Sequence, residues 1–283
     1  MAADLTVLIL TFNEARNLPA CLAGVADWAA RIVIVDSGST DDTAAIAWRA
    51  GATVLQHPYE NAPAQWNWAL QTVPVTTRWI LALDADQRVT PALRDDILAA
   101  LPATPPEVAG YYVERHFIFR GRRLRWGGCT RPMLKLFRTG RARCDEREAP
   151  DMRFYVEGST RRLPGPLLED NVNERELAWW VSKQRRFAQQ AADAEWRARQ
   201  EAGRWAIPPR LFGTPDQRVL WRKRLWLRLP RYVRPSLYFC YRYVALGGFL
   251  DGWAGLQYHA VQGFWLRWQV DVALGQRPRE TQP

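Results

Sequence analysis

Asp84 and Asp86 close an apolar run, Trp79-Ile80-Leu81-Ala82-Leu83, and their types and spacing suit a hard divalent cation. Five apolar residues with a β-branched member read as a strand buried on both faces, and burial excludes ionised groups from its middle. The carboxylates therefore belong at its mouth. Side chains alternate along an extended chain, so Asp84 and Asp86 point one way and Ala85 the other. Two oxygen donors so placed match Mg²⁺ or Mn²⁺ carried by a diphosphate, whose phosphates complete the ion's shell. In isolation an Asp-x-Asp is more often a solvated turn before a helix, so the elements that position it decide its meaning.

Those elements alternate strand and helix. Leu5 to Thr11 reads as a strand, followed by the polar loop Phe12-Asn13-Glu14-Ala15-Arg16. A helix from Asn17 to Trp28, with Pro19 in its first turn and Leu22 and Val25 inward, leads to a second strand, Ile32 to Val35. That strand ends in Asp36-Ser37-Gly38-Ser39-Thr40-Asp41-Asp42, where Gly38 permits a tight turn and the hydroxyls and carboxylates favour a helix start. The helix runs to Ala50. Thr53 to Leu55 is a third strand, Ala62 to Leu70 a further helix, and the Trp79 strand completes a βαβαβαβ pattern. Its usual solution is a mainly parallel sheet with helices on both faces, binding ligands beyond the carboxyl ends of the strands. Three of those ends carry polar clusters: Asn13-Glu14, Asp36-Ser37-Gly38 and Asp84-x-Asp86.

Thr11-Phe12-Asn13-Glu14, Val35-Asp36-Ser37-Gly38-Ser39-Thr40-Asp41 and Leu83-Asp84-Ala85-Asp86 resemble the successive signatures of family-two glycosyltransferases with the GT-A fold, over about residues 4 to 170. Ala64-Gln65-Trp66-Asn67-Trp68-Ala69-Leu70, Gly127-Gly128, Leu136-Phe137-Arg138 and Phe249-Leu250-Asp251-Gly252 resemble the bacterial branch that extends lipopolysaccharide cores or lipid-linked exopolysaccharide units. The resemblance implies a Rossmann-like α/β sheet and inverting transfer of a hexose, glucose above others, from a UDP-sugar with Mg²⁺ or Mn²⁺. Thr11, Asn13, Glu14, Ser37 and Gly38 would hold the nucleoside, and Asp36 would accept the uracil N–H. Asp84 would lie nearer the ribose and Asp86 would take the metal. One departure is Gln87, which stands where a Glu often follows the Asp-x-Asp.

Inversion by a single displacement needs a carboxylate that deprotonates the acceptor hydroxyl. Gly110 to Phe119 and Leu124-Arg125-Trp126 read as a hairpin turned at Arg120-Gly121-Arg122, and Met133 to Phe137 as another strand. Thr139-Gly140 then turns the chain toward Cys144-Asp145-Glu146-Arg147-Glu148-Ala149-Pro150-Asp151. In the resembling branch this segment carries the acidic residue that faces the acceptor. Asp151 fits slightly better than Glu146, and both stay open.

A long helix from Glu174 to Ala202 carries Leu177, Trp180, Val181, Phe187, Ala188, Ala191 and Ala194 at helical spacing, which reads as packing against the sheet. Lys183, Arg185 and Arg186 lie off that stripe, as a solvated face or within reach of the diphosphate. Gly203 and the turn-forming residues that follow set a boundary near residue 205, giving a catalytic domain over 1–205 and a helical region over 206–283. Between Asp216 and Asp251 there is no acidic residue, while eight basic residues, Arg218, Arg222, Lys223, Arg224, Arg228, Arg231, Arg234 and Arg242, interleave with tryptophan, tyrosine and phenylalanine. The net charge of +10 is almost wholly arginine, since Lys135, Lys183 and Lys223 are the only lysines. An anionic membrane surface suits this mixture better than nucleic acid, for which no base-reading motif is present. Tyr243 to Leu266 has the length of a span but contains Asp251, Gln257, His259 and Gln262, which favours an in-plane helix with Pro230 and Pro235 breaking the segment before it.

The four cysteines lack paired or metal-type spacing, and no basic region precedes the short apolar run at Leu5. These features, with the lipid-linked glycan acceptor the resemblance implies, predict a cytoplasmic enzyme peripheral on the inner face of the bacterial inner membrane. A sugar nucleotidyltransferase would need a glycine-rich phosphate loop after the first strand, which Phe12-Asn13-Glu14 is not. A non-catalytic basic membrane- or nucleic-acid-binding protein on the same scaffold would not need Asp36, Asp84 and Asp86. A processive synthase is disfavoured by the lack of a Gln-x-x-Arg-Trp element.

Overall fold

The computed structural model describes residues 2–148, 152–200 and 204–277. It divides into two compact units, the first holding residues up to Arg123, Thr130–Glu146 and Met152–Asn173, the second Leu124–Cys129 and the chain from Glu174 on. The division thus falls before the long helix, well ahead of the boundary expected near residue 205.

In the first unit, β1 (Ala3–Thr11), α1 (Leu18–Ala23), β2 (Ala29–Asp36), α2 (Thr43–Arg49), β3 (Thr53–Gln56), α3 (Ala62–Thr72) and β4 (Trp79–Asp84) follow the expected alternation. β5 (Gln87–Val89), α4 (Pro91–Ala100), β6 (Val108–Phe119), β7 (Arg122–Leu124), β8 (Arg131–Arg138), β9 (Ala142–Cys144), β10 (Phe154–Val156) and β11 (Ser159–Asp170) complete it. The main sheet runs β3-β2-β1-β4-β8-β6-β11-β5. Its first half is parallel, as the connections require, and β8 joins β4 antiparallel. This is the α/β architecture that the alternation predicts. Two apolar layers cover the faces: Leu5, Val7, Ile9, Ile34, Leu81 and Leu83 on one, Leu8, Val33, Val35, Ile80 and Ala82 on the other. Both faces being buried explains why β1, β2 and β4 are continuously apolar rather than alternating.

α1 is shorter than expected, since it ends at Ala23 with Gly24 as its C-cap, and Asn17 stands at its N-cap. Its Nδ2 donates to Glu14 Oε2 at 2.6 Å and Asn171 Oδ1 at 3.2 Å, while its Oδ1 accepts the Val172 N–H at 2.8 Å. Leu22 and Val25 are buried as expected. No expectation covered β11, which pairs parallel with β6 and antiparallel with β5.

In the second unit, α5 (Leu177–Gln200) is followed by α6 (Pro215–Arg228), α7 (Arg234–Cys240), α8 (Gly252–Tyr258) and α9 (Leu266–Gly275). Within this unit the stripe of α5 includes Ala188 and Ala192, which receive Leu266, Val270 and Leu274 of α9. The small alanines let the two backbones approach. Lys183 pairs with Glu174 at 2.9 Å and lies over the Trp179 ring. Arg234, fully buried, pairs with Glu195 at 2.8 Å and with Asp271. Arg242, also buried, donates to the Gly127 carbonyl at 2.6 Å. Two of the eight basic residues expected on a membrane face are therefore internal, since both find partners outside the basic run.

Between Tyr241 and Trp265 the backbone is broken into π and 3-10 turns around α8, with Gly247 at φ +70° and Gly252 at φ +63°. Among the described residues no helix is long and apolar enough to cross a membrane. Asp251 is buried and accepts the N–H groups of Arg125 and Trp126 at 3.1 and 2.9 Å, so it is a structural tie rather than an in-membrane charge. His259 is fully buried with no hydrogen-bond partner at either ring nitrogen, and burial, then the Arg242 charge, lowers it to about 4, leaving it neutral at pH 7. Its ring lies against Gly127, where φ is +65° and an added Cβ would come within 2.2 Å of Nε2. Gly127→Ala should accordingly destabilise this unit by about 1–3 kcal/mol, from φ strain plus the clash, read as a lowered Tm; an unchanged Tm would contradict the packing. All four cysteines are free.

Candidate active site

Register sets the geometry. β1 lies between β2 and β4 in parallel, with Thr11 opposite Asp36 and Leu10 opposite Asp84, so three strand ends deliver their loops to one edge of the first unit. The loops after β1 and β2 are laced together. Asn13 takes φ +54°, its N–H donates to Ser39 Oγ at 2.8 Å, and its Oδ1 accepts the Thr40 N–H at 2.8 Å. The Glu14 N–H donates to Thr43 Oγ1 at 2.8 Å and the Ala15 N–H to Asp41 Oδ2 at 3.1 Å. Ser37 Oγ accepts from Gln65 Nε2 at 3.2 Å.

Asp36 anchors this lacing and is fully buried. Its Oδ1 accepts the hydroxyls of Thr11, at 2.8 Å, and Ser39; its Oδ2 accepts the N–H groups of Gly38 at 3.2 Å and Ser39 at 2.8 Å, and Gln56 Nε2 at 3.1 Å. Gly38, at φ +83°, makes the return possible. Burial would raise the Asp36 carboxyl, but the Ser39 bonds, helped by Thr11 and Gln56, outweigh it and hold the group below the usual carboxylate range. A base N–H reaching Asp36 would therefore have to share an oxygen already engaged by the chain itself, which has about four lone-pair sites for five donors.

Asp84 and Asp86 are both half-buried at the mouth of β4 and the turn beyond it. Asp84 Oδ2 accepts from Lys135 Nζ at 2.9 Å and Gln87 Nε2 at 2.8 Å, and Gln87 Oε1 accepts the Asp84 N–H at 3.2 Å. Gln87 Nε2 also reaches Glu169 Oε2 at 3.1 Å, and Arg115 holds Glu169 Oε1 at 2.7 Å. Burial would raise Glu169, but Arg115, Arg131, Gln87 and Lys135 together lower it. Asp86 Oδ2 accepts from Asn171 Nδ2 at 3.1 Å, and the Asp170 N–H donates to the Asp86 carbonyl at 2.9 Å. The donors are hard oxygens, which fits Mg²⁺ or Mn²⁺. Among the described residues no group of three or more His, Cys, Asp or Glu side chains could hold an ion, so such an ion would need substrate oxygens to complete its shell.

Lys135, Glu169, Asn171 and Gln56 escaped the sequence reading. Lys135 carried a usable signal, being a lysine within the apolar strand Met133-Leu134-Lys135-Leu136-Phe137. Of the two base candidates, Glu146 is exposed and its Oε1 accepts from Asn67 Nδ2 at 3.2 Å; the same Asn67 exchanges bonds with the Cys144 backbone. Asp151 lies outside the described residues.

The similarities of the chain to known proteins agree with this arrangement. A Rickettsia felis protein called an uncharacterized glycosyltransferase is 36% identical over 93 residues, which is 33% of this chain and 32% of that protein. The chain thus matches about a third of that relative's length. The lipopolysaccharide core biosynthesis glycosyltransferase LpsC of Rhizobium meliloti is 29% identical over 266 residues, 90% of this chain and 88% of LpsC. Among solved structures, glucosyl-3-phosphoglycerate synthase of Mycobacterium tuberculosis, in complex with Mn²⁺ and UDP, aligns at TM-score 0.33 and 18% identity over 40% of this chain and 43% of that one, a likeness too low to bear on its chemistry. The model of glycosyl transferase family 2 matches residues 6–155, more than half of the chain, from within β1 to within β10, so the chain belongs to glycosyl transferase family 2.

Proposed function

We propose that this glycosyltransferase moves a hexose, glucose before others, from a UDP-sugar to a lipid-linked glycan in lipopolysaccharide or exopolysaccharide synthesis, with inversion at the anomeric carbon and a divalent ion. The observation that carries the reading is the convergence of the Thr11–Glu14 loop, the Asp36–Gly38 turn and Asp84-x-Asp86 at adjacent parallel strand ends. The extended similarity to LpsC supports the choice of acceptor class. The laced loops after β1 and β2 hold the nucleoside, and Asp86 with Asp84 faces the diphosphate. Mg²⁺ or Mn²⁺ bound there would offset the charge that grows on the departing nucleotide. A carboxylate from the segment after β9, Asp151 or Glu146, removes the acceptor hydroxyl proton as that oxygen attacks the anomeric carbon. The test is a donor screen with Mn²⁺ across UDP-, GDP- and TDP-sugars. Nucleotide release that depends on acceptor and favours UDP-glucose is expected; no release from any donor would overturn the assignment.

The reading includes attachment to the anionic inner leaflet through the second unit, at the cytoplasmic face of the inner membrane. Tyr241, Val244, Phe249, Leu250 and Trp253 are exposed there, as are Arg218, Arg222, Arg224 and Arg228. Each basic residue near such a surface adds about 1 kcal/mol, and interfacial aromatics add a part that salt does not remove. Replacing the four exposed arginines by glutamine should reduce flotation with phosphatidylglycerol-containing vesicles. Replacing Phe249 and Trp253 by serine should remove the salt-resistant remainder. Unchanged flotation in both variants would exclude this surface.

A further inference from the structure

Side chains of α5, α6, α7 and α9 converge in the second unit, where arginines outnumber the carboxylates that answer them. Arg199 pairs with Glu195 at 2.9 Å and donates to the Leu227 carbonyl at 3.1 Å, and buried Arg234 pairs with Glu195 at 2.8 Å and with Asp271. Glu195 also accepts the indole N–H of Trp226 at 3.4 Å and Asp271 the Tyr232 N–H at 2.8 Å, so both carboxylates are already engaged. Arg267, half-buried on α9, makes no ion pair or hydrogen bond among the described residues. Its guanidinium lies 6.0 Å from the centre of the Trp226 ring and 5.6 Å from that of Tyr238, two rings set at 69° with 5.5 Å between their centres. Each ring already carries a buried guanidinium rather than a carboxylate: Arg234 lies over Trp226 at 4.6 Å and Arg242 over Tyr238 at 5.5 Å. A half-buried charge among like charges is costly without a counter-ion.

We propose that Arg267 is the centre of a phosphate-binding site that takes the phosphomonoester head group of an anionic lipid. The inference rests on the reading of the second unit as the part that attaches to the membrane. A guanidinium resting on aromatic rings keeps its planar N–H edge for an acceptor, and that fork matches the oxygens of a phosphate. A monoester offers it more terminal oxygens and more charge than a diester does. The surroundings select a lipid as the source. Phe264 and Trp268, which flank Arg267 in α9, are exposed and stacked at 6.0 Å, a surface that suits the head-group layer and gives nothing to a free anion. Arg222 and Lys223, one turn before Trp226 in α6, likewise have no ion-pair partner among the described residues. These mobile side chains draw the unit to any anionic surface, whereas Arg267, held by its rings, distinguishes the phosphates it meets there.

Flotation of the full-length protein with phosphatidylcholine vesicles, made equally negative by phosphatidic acid or by phosphatidylglycerol, tests this. The unmodified protein should bind the phosphatidic acid vesicles at least ~3-fold more tightly, a cautious figure for charge-assisted hydrogen bonds at a wet surface. Arg267→Gln should erase that preference, whatever it takes from binding to both lipids. Arg222→Gln should weaken both alike and keep the preference. Arg267→Lys, which retains the charge over the rings but not the fork, should lose the preference as well, and it carries the test if Arg267→Gln does not fold. Equal binding of the two lipids by the unmodified protein, or a preference that survives either substitution of Arg267, would overturn the proposal. Inorganic phosphate should displace the protein from phosphatidic acid no better than sodium chloride of the same ionic strength; displacement specific to phosphate would give the site to a free anion and overturn the lipid assignment. Failure of the attachment reading itself shows separately, as no flotation of the unmodified protein with phosphatidylglycerol vesicles.

Discussion

Asp86→Ala should reduce divalent-ion-dependent sugar transfer by roughly 10³-fold or more while shifting Tm by only a few degrees. The variant removes the proposed oxygen ligand at a half-buried position just beyond β4, together with the hydrogen bond from Asn171 Nδ2, but no buried apolar packing. The rate suffers because the charge developing on the departing diphosphate loses its partner, a loss of several kcal/mol in the transition state. The fold suffers little because β4 keeps its ladder to β1 and β8 and its apolar layers. Initial rates with Mn²⁺ and a thermal melt decide it. Transfer at the unmodified rate with the same Mn²⁺ dependence would remove Asp86 from the site.

The second large effect concerns the base. Asp151→Asn should bind UDP and Mn²⁺ normally yet transfer at least ~10²-fold more slowly, the lower end expected when general-base assistance is lost. Glu146→Gln should then be mild, since the amide can still accept the Asn67 hydrogen bond and keep the Cys144 to Glu146 turn in place. Single-turnover rates with bound donor separate chemistry from binding. The reverse ranking would move the role to Glu146, and two mild variants would exclude both residues.

β1, β2 and β4 were legible because each is continuously apolar and runs into a polar residue at its end, Thr11, Asp36 or Asp84. The loops were legible because Gly38 and the hydroxyls after Asp36 have few other uses. Glu169 and Asn171 were not, because they reach the site through β11, whose parallel pairing with β6 joins segments far apart in the chain. Such pairing leaves no local period. The alanine stripe of α5 announced that something packs there without saying what, and α9, far along the chain, is one element that does. Arg234 and Arg242 were read with their neighbours as surface charge. Their partners, Glu195, Asp271 and the Gly127 carbonyl, all lie outside the basic run, so composition could not distinguish them from Arg222 or Arg224. Lys135 is the reverse case: one charge in an apolar strand, visible in the sequence, whose counter-ion is Asp84 of the Asp-x-Asp pair.

The assignment of Leu124–Cys129 to the second unit has a consequence for how the chain is made. This hexapeptide leaves the ribosome with β6, β7 and β8, but the residues that fix it, Arg242, Leu246 and Asp251, are translated much later. α5 likewise waits for α9. Domains that fold as units during synthesis finish one after the other, whereas here the first unit can condense on the emerging chain while the second stays open until its last helix arrives. A premature stop before α9 would therefore leave a finished first unit joined to an unfinished remainder with exposed alanine and tryptophan surface, a species suited to proteolysis rather than to partial activity.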